Sequence, residues 1–400
     1  MLQGKTVLLG VTGGIAAYKI PNVARMLKKL HCNVHVLMTE NAANFITATT
    51  FETLTGNKCL MDTFDRNFEF SVEHVELARQ ADLVLVAPAT ANVIGKIANG
   101  IADDMLTTTI MACTCKILIA PAMNHHMYLN QIVQENLQKL AEHGYGILEP
   151  VVGMLANGDI GNGKLPKEQV LVDHVIREIG LKKDFAGKKI LVTAGPTCEA
   201  IDPVRFITNH SSGKMGYALA KMAMLRGADV TLVSGPVHIE PPMSVKVVKV
   251  CTALEMYDAV LKHMQIQDII IKAAAVADYR PANVSTEKIK KSNRDSRLEL
   301  ERTQDILGYL GEQKATGLVN AYLCGFSMET ERMEANSKEK LVKKNLDMIV
   351  ANNLKTPGAG FETDTNVLTI MTADKQLPLA LMSKEEAANE ILDCILEELK

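Results

Sequence analysis

Gly187-Lys188-Lys189-Ile190-Leu191-Val192, running into Gly195-Pro196, repeats in outline the start of the chain, where Gly4-Lys5-Thr6-Val7-Leu8-Leu9 runs into Gly13-Gly14. Each is a short apolar run ending at a glycine turn, the form of a buried strand that hands over to a helix. Working outward, each is followed by a helix-like stretch and a second run, Asn33-Val34-His35-Val36-Leu37-Met38 in the first half and Asp229-Val230-Thr231-Leu232-Val233-Ser234 in the second. A third run follows in each half, Asp82-Leu83-Val84-Leu85-Val86-Ala87 and Asp268-Ile269-Ile270-Ile271. The third runs are apolar throughout, which matches parallel strands covered on both faces and not the alternation of a half-wet antiparallel sheet. The pattern is α/β twice, two Rossmann-like parallel-sheet domains.

The chain has 400 residues, 47% of them apolar and 22% charged, enough for two domains with sizeable cores and too apolar for a mainly disordered chain. The short polar stretch Gly180-Leu181-Lys182-Lys183-Asp184 follows a helical run ending near Ile179, so the expected domains are 1–184 and 185–400. Near the end, Val367-Leu368-Thr369-Ile370-Met371 and Leu377-Pro378-Leu379 flank a polar turn and predict an edge hairpin that tolerates Pro378. Ser383 and Glu386 form a capping box opening a last helix, with Ala387, Ile391, Ile395 and Leu399 on one face. A formal net charge of −3 gives neither a nucleic-acid footprint nor a membrane surface. The eight cysteines lack paired CxxC spacing, and neither a signal peptide nor a membrane span is present, so reduced thiols and a cytoplasmic protein are expected.

In open α/β sheets, ligands settle at the carboxyl ends of the strands, where glycine turns and helix N-termini offer backbone N–H groups. Three loops of the first half are so placed: Gly10-Val11-Thr12-Gly13-Gly14-Ile15, Met38-Thr39-Glu40-Asn41 and Pro88-Ala89-Thr90-Ala91-Asn92. The first lacks the full dinucleotide spacing and reads either as a single-phosphate loop built on Thr12 or as a tight turn without ligand. The amides of the third and Asn92 could lie against a planar ring. His74, alone in a half-apolar stretch, reads more readily as a structural histidine than as a base. His125 and His126 are adjacent and diverge, and no carboxylate or cysteine completes a set, so no metal is assigned to them.

His74, the loop 88–92, Gly100-Ile101-Ala102-Asp103-Asp104 and Pro121-Ala122-Met123-Asn124-His125-His126-Met127-Tyr128 together resemble the flavin-dependent cysteine decarboxylase family, with Tyr128 where that family carries tryptophan. The resemblance implies a flavodoxin-like flavoprotein domain that binds FMN through Thr12, Gly13, Gly14, Thr39, Ala89, Thr90, Ala91, Asn92 and Asp103. It implies that FMN oxidises a cysteinyl thiol to a thioaldehyde whose carboxylate then leaves as carbon dioxide. His74 is implied as the base and Asn124 as the amide that orients the carboxylate, and the flavin domains are implied to be trimeric.

In the second half, Asn209-His210-Ser211-Ser212-Gly213-Lys214-Met215-Gly216 opens a helix carrying Leu219, Met222 and Ala223 on one face. Ser211, Ser212 and Gly213 read either as an anion nest or as a plain helix cap. Ala273-Ala274-Ala275-Val276-Ala277-Asp278 ends a strand in an acid, and Lys288-Ile289-Lys290-Lys291 and the pair Lys340 and Lys344 read either as solvated faces or, with the nest, as a triphosphate site. These motifs, with 201–216 and the run 343–353, resemble phosphopantothenate–cysteine ligases over most of 188–400. That resemblance implies a nucleotide-binding ligase domain, dimeric, using CTP with Mg²⁺, 4′-phosphopantothenate and cysteine. The CTP site implied comprises Ser211, Ser212, Gly213, Ala273, Ala274, Ala275, Asp278, Lys288, Gln304, Asp305, Ile306, Leu307, Phe326, Lys340 and Lys344. Asn209 would act on the acyl-cytidylate, and Gln304 stands where the family has proline.

Both resemblances in one chain imply a bifunctional family of coenzyme A biosynthesis: ligation to 4′-phosphopantothenoylcysteine, then decarboxylation to 4′-phosphopantetheine. Peptidyl-cysteine decarboxylase and flavin prenyltransferase readings leave residues 188–400 unexplained, and a regulatory flavoprotein would tolerate loss of the CTP-site residues, which are present. The glycine-rich flap Met154–Lys164 carries Asn157 where relatives of the flavin family have a cysteine that donates a proton. An amide is too weak an acid for that step. The expectation is a substitute donor, Asp159 or a trapped water; the alternative is an active ligase fused to an impaired or regulatory flavoprotein.

Overall fold

The computed structural model describes residues 1–63, 73–154, 158–290, 297–329, 332–353 and 363–400. Its contacts divide the chain into two units, Met1–Lys182 and Lys183–Lys400.

The first unit is built on β1 (Thr6–Val11), β2 (Asn33–Met38), β3 (Cys59–Leu60), β4 (Leu83–Ala89), β5 (Lys116–Pro121) and β6 (Gly146–Ile147), followed by the hairpin β7 (Val151–Met154) and β8 (Ile160–Lys164). The first six form one parallel sheet in the order β3-β2-β1-β4-β5-β6. The chain goes outward from β1 to β3 and returns to β4, so the strand order reverses between β1 and β4, the position at which open α/β sheets take a ligand at their carboxyl ends. Every residue of β4 is buried, as its unbroken apolar run requires of a strand covered on both faces.

The second unit continues with β9 (Lys189–Ala194), β10 (Cys198–Ala200), β11 (Phe206–Thr208), β12 (Asp229–Ser234), β13 (Lys246–Lys249), β14 (Ile269–Lys272), β15 (Tyr279–Pro281) and β16 (Leu300–Arg302). Then come β17 (Tyr322–Glu329), β18 (Met348–Asn353), β19 (Thr365–Asn366), β20 (Leu368–Met371), β21 (Gln376–Pro378) and β22 (Met382–Ser383). The main sheet runs β13-β12-β9-β14-β17-β18-β20-β21, parallel as far as β18 and antiparallel beyond it. The expected edge hairpin is β20 and β21, with Pro378 in register with Thr369 on the last strand, where a missing N–H costs no ladder bond on the outer side.

The repeated opening has a physical cause. In the first unit the Asp82 carboxylate accepts from Thr6 N at 2.8 Å and from Lys5 Nζ at 2.9 Å, which fixes the start of β4 beside β1. In the second, Asp268 accepts from Lys189 N at 2.8 Å and Lys188 Nζ at 3.5 Å, fixing β14 beside β9 in the same way. Glycine-lysine before the first strand and aspartate before the third are therefore one staple used twice.

The second unit begins with a buried anchor. Phe185 is fully buried under the Arg226 guanidinium, 4.8 Å from the ring centre, and Arg226 pairs with Asp184 and Asp393 at 2.8 and 2.7 Å. The last helix, Lys384–Glu398, has the expected capping box and buries Ala387, Ile391 and Ile395, packing on the helix Lys214–Leu225. Leu399 departs from expectation: it caps the helix beyond its last turn and is 41% exposed.

Candidate active sites at the carboxyl ends of the two sheets

In the first unit, Thr12, Thr39 and Thr90 stand directly after β1, β2 and β4. Thr12 is consumed by the fold: its hydroxyl donates to Pro88 O at 2.6 Å and accepts from Thr90 N at 3.1 Å, tying together the loops after β1 and β4. Thr39 is not. Its Oγ1 is buried without a hydrogen-bond partner, a cost of roughly 1–3 kcal/mol unless a ligand satisfies it. Thr90 caps the helix Ala91–Ala98, and Gly14 has nothing nearer to an added Cβ than Thr90 Cγ2 at 3.7 Å and Pro88 Cγ at 3.8 Å. Ala89 has its side chain in the core, Ala91 is half-buried and Asn92 exposed. A Cβ on Gly13 would lie 2.5 Å from that of Asn41, so the loops after β1 and β2 need a glycine there. Asp103 is exposed and pairs with Lys96 at 2.6 Å, the ammonium holding its carboxyl below the ordinary range.

His74 is half-buried in the first turn of the helix Glu73–Gln80. That helix connects β3 to β4, and a crossover helix runs antiparallel to its strands, so its first turn lies toward the carboxyl edge of the sheet. Asn124, after β5, caps the turn His125–Tyr128 by accepting from His126 N at 2.8 Å, which leaves its NH₂ group to donate outward. The glycines of the flap answer to this turn. An added Cβ on Gly161 would meet His125 Cγ at 2.6 Å, and one on Gly163 would fall on the Met123 carbonyl, so β8 must lie backbone-first against residues 123–125. Met123 N donates to Gly163 O at 3.0 Å, and Asn162 N donates to His125 Nδ1 at 3.1 Å. Asp159 is exposed near the flap tip; Asn157 lies outside the described residues.

In the second unit a cavity of about 570 Å³ opens above β14, β17 and β18. One wall is the start of the helix Lys214–Leu225, with Asn209, Ser211, Ser212 and Gly213. Gly213 has φ +76°, its N–H donates to Ser211 Oγ at 3.3 Å, and no side chain caps the helix. A second wall is Ala273, Ala274, Ala275 and Asp278. The three alanine amides are spent on Thr193 O, Thr193 Oγ1 and Gly195 O, so this wall offers methyls and carbonyls, a surface for a flat ring. Asn209 donates to Ala275 O and Val276 O, both at 3.1 Å, and joins the two walls. Leu307, Phe326, Lys340 and Lys344 close the other side.

Four expected residues do not line this cavity. Ile306 is in the core, Gln304 is exposed, and Asp305 caps the helix Ile306–Ala315 while pairing with Lys344 at 2.8 Å. Partial burial opposes the charge of Asp305, but bonds from Lys344 and Gly308 N outweigh it and hold the carboxyl below its ordinary range. Lys288 is exposed on the segment before residues 291–296, which lie outside the described residues. That segment is tethered. Asp202, 3% exposed, accepts from Val204 N and Arg205 N at 2.8 Å, from the Arg205 guanidinium and from Ile289 N at 3.2 Å, while Arg205 donates to Ile289 O at 3.0 Å. The Arg205 bond, with the amides, holds the Asp202 carboxyl far below the ordinary range.

The sequence reading missed Lys272, Asn352, Asn366 and Lys384, which also line the cavity. Asn352 and Asn366 are 7% and 3% exposed, and the Oδ1 atom of each is buried with no partner. A second cavity of about 610 Å³ abuts the first, sharing Asn209–Ser212 and Lys214 and adding Phe206, Pro236 and His238. Among the described residues, no group of three or more His, Cys, Asp or Glu could hold a metal ion, and no helix is long and apolar enough to cross a membrane.

A family model described as Flavoprotein matches residues 1–180, and one described as DNA/pantothenate metabolism flavoprotein C-terminal domain matches residues 185–399. The chain is 46% identical over 400 residues to the coenzyme A biosynthesis bifunctional protein CoaBC of Bacillus subtilis, covering 98% of this chain and 97% of that protein. The chain belongs to this bifunctional family. To the member from Vibrio cholerae it is 45% identical, with 100% and 99% of the two chains covered. It is also similar to the solved C-terminal domain of a protein of that name, at 45% identity and a TM-score of 0.47 over 55% of this chain and 98% of that one. Coenzyme A biosynthesis is thus its function, with phosphopantothenate–cysteine ligase and phosphopantothenoylcysteine decarboxylase activities in one chain.

Proposed function

We propose that residues 185–400 activate 4′-phosphopantothenate with CTP in the lysine-lined cavity, and that residues 1–184 decarboxylate the product with FMN where the strand order reverses between β1 and β4. The observation that carries the ligase half is the composition of the first cavity. Among the described residues, five lysines, 214, 272, 340, 344 and 384, and two orphaned asparagine oxygens meet one lining carboxylate, Asp278, beside an uncapped helix N-terminus. That suits a polyanion carrying hydrogen-bond donors, as a nucleoside triphosphate does.

In this reading the alanine wall and Phe326 take the cytosine, and the lysines take the phosphates together with Mg²⁺, which arrives with the nucleotide. The neighbouring cavity takes phosphopantothenate and cysteine. The carboxylate attacks the α-phosphorus and expels pyrophosphate; the cysteine amine then attacks the acyl carbon and expels CMP. Asn209, on the shared wall, holds the acyl-cytidylate in place. Lys288, on the segment gripped by Asp202 and Arg205, reaches the phosphates.

For the first unit, FMN fits the residues present. The orphaned Thr39 hydroxyl, the bare Gly13 and Gly14 and the small loop 89–92 form a neutral cradle at the switch point. When bound, FMN supplies the two-electron oxidation of the cysteinyl thiol. His74 takes the thiol proton, and the NH₂ group of Asn124 holds the carboxylate without the charge of an arginine, which would resist its loss. Asp159, or a water held under the flap, returns the proton that Asn157 cannot.

Exposed Met127, Leu129, Ile132, Val152, Met154 and Ile160 around the flap support self-association of the flavin domains, read here as trimeric, and the ligase domains are read as dimeric. A cytoplasmic setting completes the reading. The test is pyrophosphate release with each substrate withheld in turn: it should need CTP, 4′-phosphopantothenate and Mg²⁺ together. Release from ATP or UTP at the same rate would remove the cytidine assignment.

A further inference from the structure

Lys272 ends the run Ile269-Ile270-Ile271-Lys272 in β14, between β9 and β17 and in register with Thr193 and Gly325. Lys272 is half-buried after three buried isoleucines on a central strand, and its side chain reaches the first cavity. Thr193 accepts from Ala274 N, and Gly325 has no side chain to offer. The other groups facing Lys272 are Asp305 on the helix Ile306–Ala315, Lys340 and Lys344 on and at the end of the helix Met333–Lys343, and Asp278 in the loop after β14. Their pairings leave Lys272 out. Lys344 pairs with Asp305, Lys214 pairs with Asp364 at 2.7 Å, and Lys384 donates to Thr363 O. Among the described residues, Lys272 makes no hydrogen bond or salt bridge, and its charged neighbours act on it at longer range.

We propose that Lys272 is the charge-matching residue of the nucleotide subsite: its amine, unpartnered in the free protein, takes up a proton as the triphosphate enters, so nucleotide binding is coupled to proton uptake. The proposal rests on the nucleotide reading above. Burial lowers the proton affinity of the free amine to a pKa of about 8, with Lys344 and Lys340 pushing the same way and Asp305 and Asp278 opposing them. A triphosphate replaces that surplus of positive charge with a partner, and an adjacent opposite charge favours the ammonium. The reaction is –NH₂ plus H⁺ from the buffer to –NH₃⁺, with no other co-reactant. By linkage, the factor by which bound nucleotide raises the proton affinity of the amine equals the factor by which the proton raises the affinity for nucleotide, so CTP should bind less tightly as pH rises through the free-protein pKa.

The full chain is titrated calorimetrically with CTP and MgCl₂ in two buffers of different ionisation enthalpy. The terminal phosphate, with a second pKa near 6, is fully ionised above about pH 8 and contributes no proton change there. At about pH 8.5 the wild type should take up about 0.7 proton per CTP, and between about pH 7 and 9.5 its Kd should rise about 20- to 30-fold. Lys272→Met should bring uptake near zero and flatten the profile at weak affinity. Lys272→Arg, permanently charged, should flatten it while retaining affinity at high pH. Wild type without proton uptake, or Lys272→Met with the wild-type uptake, overturns the proposal. Absence of CTP binding in the wild type at any pH would instead overturn the nucleotide reading and this inference with it.

Discussion

The two units open with the same staple, lysine and strand amide on an aspartate, Asp82 in one and Asp268 in the other. They differ at the far ends of those strands. The loops after β1, β2 and β4 carry threonines, glycines and alanines with one acid, Glu40, and no lysine, while the cavity above β14, β17 and β18 carries five lysines among the described residues. The shared staple sets where a ligand lies in a parallel sheet, and the loop side chains set what charge it can bear. A neutral cradle with one orphaned hydroxyl suits a cofactor with a single phosphate, and a lysine-rich one suits a triphosphate.

The largest effects should come from separating the two chemistries. His74→Asn should slow decarboxylation of supplied 4′-phosphopantothenoylcysteine by about 10²- to 10⁴-fold and leave pyrophosphate release unchanged. Lys288→Gln should do the reverse, by about 10²-fold or more. Loss of both activities in either variant would break the comparison.

Next in size is the tether of the lysine segment. Asp202→Asn keeps one oxygen for Val204 N and Arg205 N but loses the second, which accepts from Ile289 N and Arg205, and should lower ligase kcat/KM by about 10- to 100-fold through misplacement of Lys288. Decarboxylation should be untouched. An unchanged ligase would show that the grip on Ile289 does not position the lysine.

Within the first unit, Thr12 and Thr39 can be set against each other. Thr12→Val leaves Pro88 O and Thr90 N without a partner and should destabilise the unit by about 1–3 kcal/mol in denaturant unfolding. Thr39→Val removes a buried hydroxyl that has no partner in the protein, so the free protein should gain up to about 1–3 kcal/mol of stability while the Kd for FMN rises about 10-fold. Equal destabilisation by both would remove Thr39 from the cofactor site.

The smallest effect is a pH dependence. Burial, with Arg177 nearby, lowers the folded-state pKa of His174 to about 4 from the ordinary 6.5. The unfolded chain therefore binds a proton first as pH falls, so the stabilisation is complete above pH 6.5 and is lost as pH falls toward 4. His174→Gln should reduce the acid shift of the thermal midpoint by about 2–4 °C.

The strands were legible because apolar runs bounded by turn residues leave little choice: the runs 33–38 and 229–234 are β2 and β12 residue for residue. The last helix was legible from Ser383 and Glu386, whose capping box is local chemistry. Thr12 was marked as a ligand group when its partners are Pro88 and Thr90, some 76 and 78 residues away, which no local pattern reveals. Lys272 and Asn352 stand at the polar ends of apolar runs, in β14 and β18. The signal was the run itself: a polar side chain that ends a central parallel strand must be answered in the sheet or by a ligand. Whether Asn352 Oδ1 is answered depends on the neighbours that folding supplies, and here it supplies none.

The central claim is that one chain makes a thiol-bearing amide from a carboxylate and removes carbon dioxide from it, using a triphosphate site in one unit and a flavin site in the other. The most direct measurement is mass analysis of anaerobic reactions containing the full chain, FMN, MgCl₂, CTP, 4′-phosphopantothenate and cysteine. The account predicts 4′-phosphopantetheine with CMP and pyrophosphate, no product without CTP, and recovery of the product when 4′-phosphopantothenoylcysteine is supplied instead. Accumulation of 4′-phosphopantothenoylcysteine, or of a decarboxylated species two hydrogens lighter than 4′-phosphopantetheine, would contradict it and show that a chain with Asn157 in its flap does not complete the second reaction.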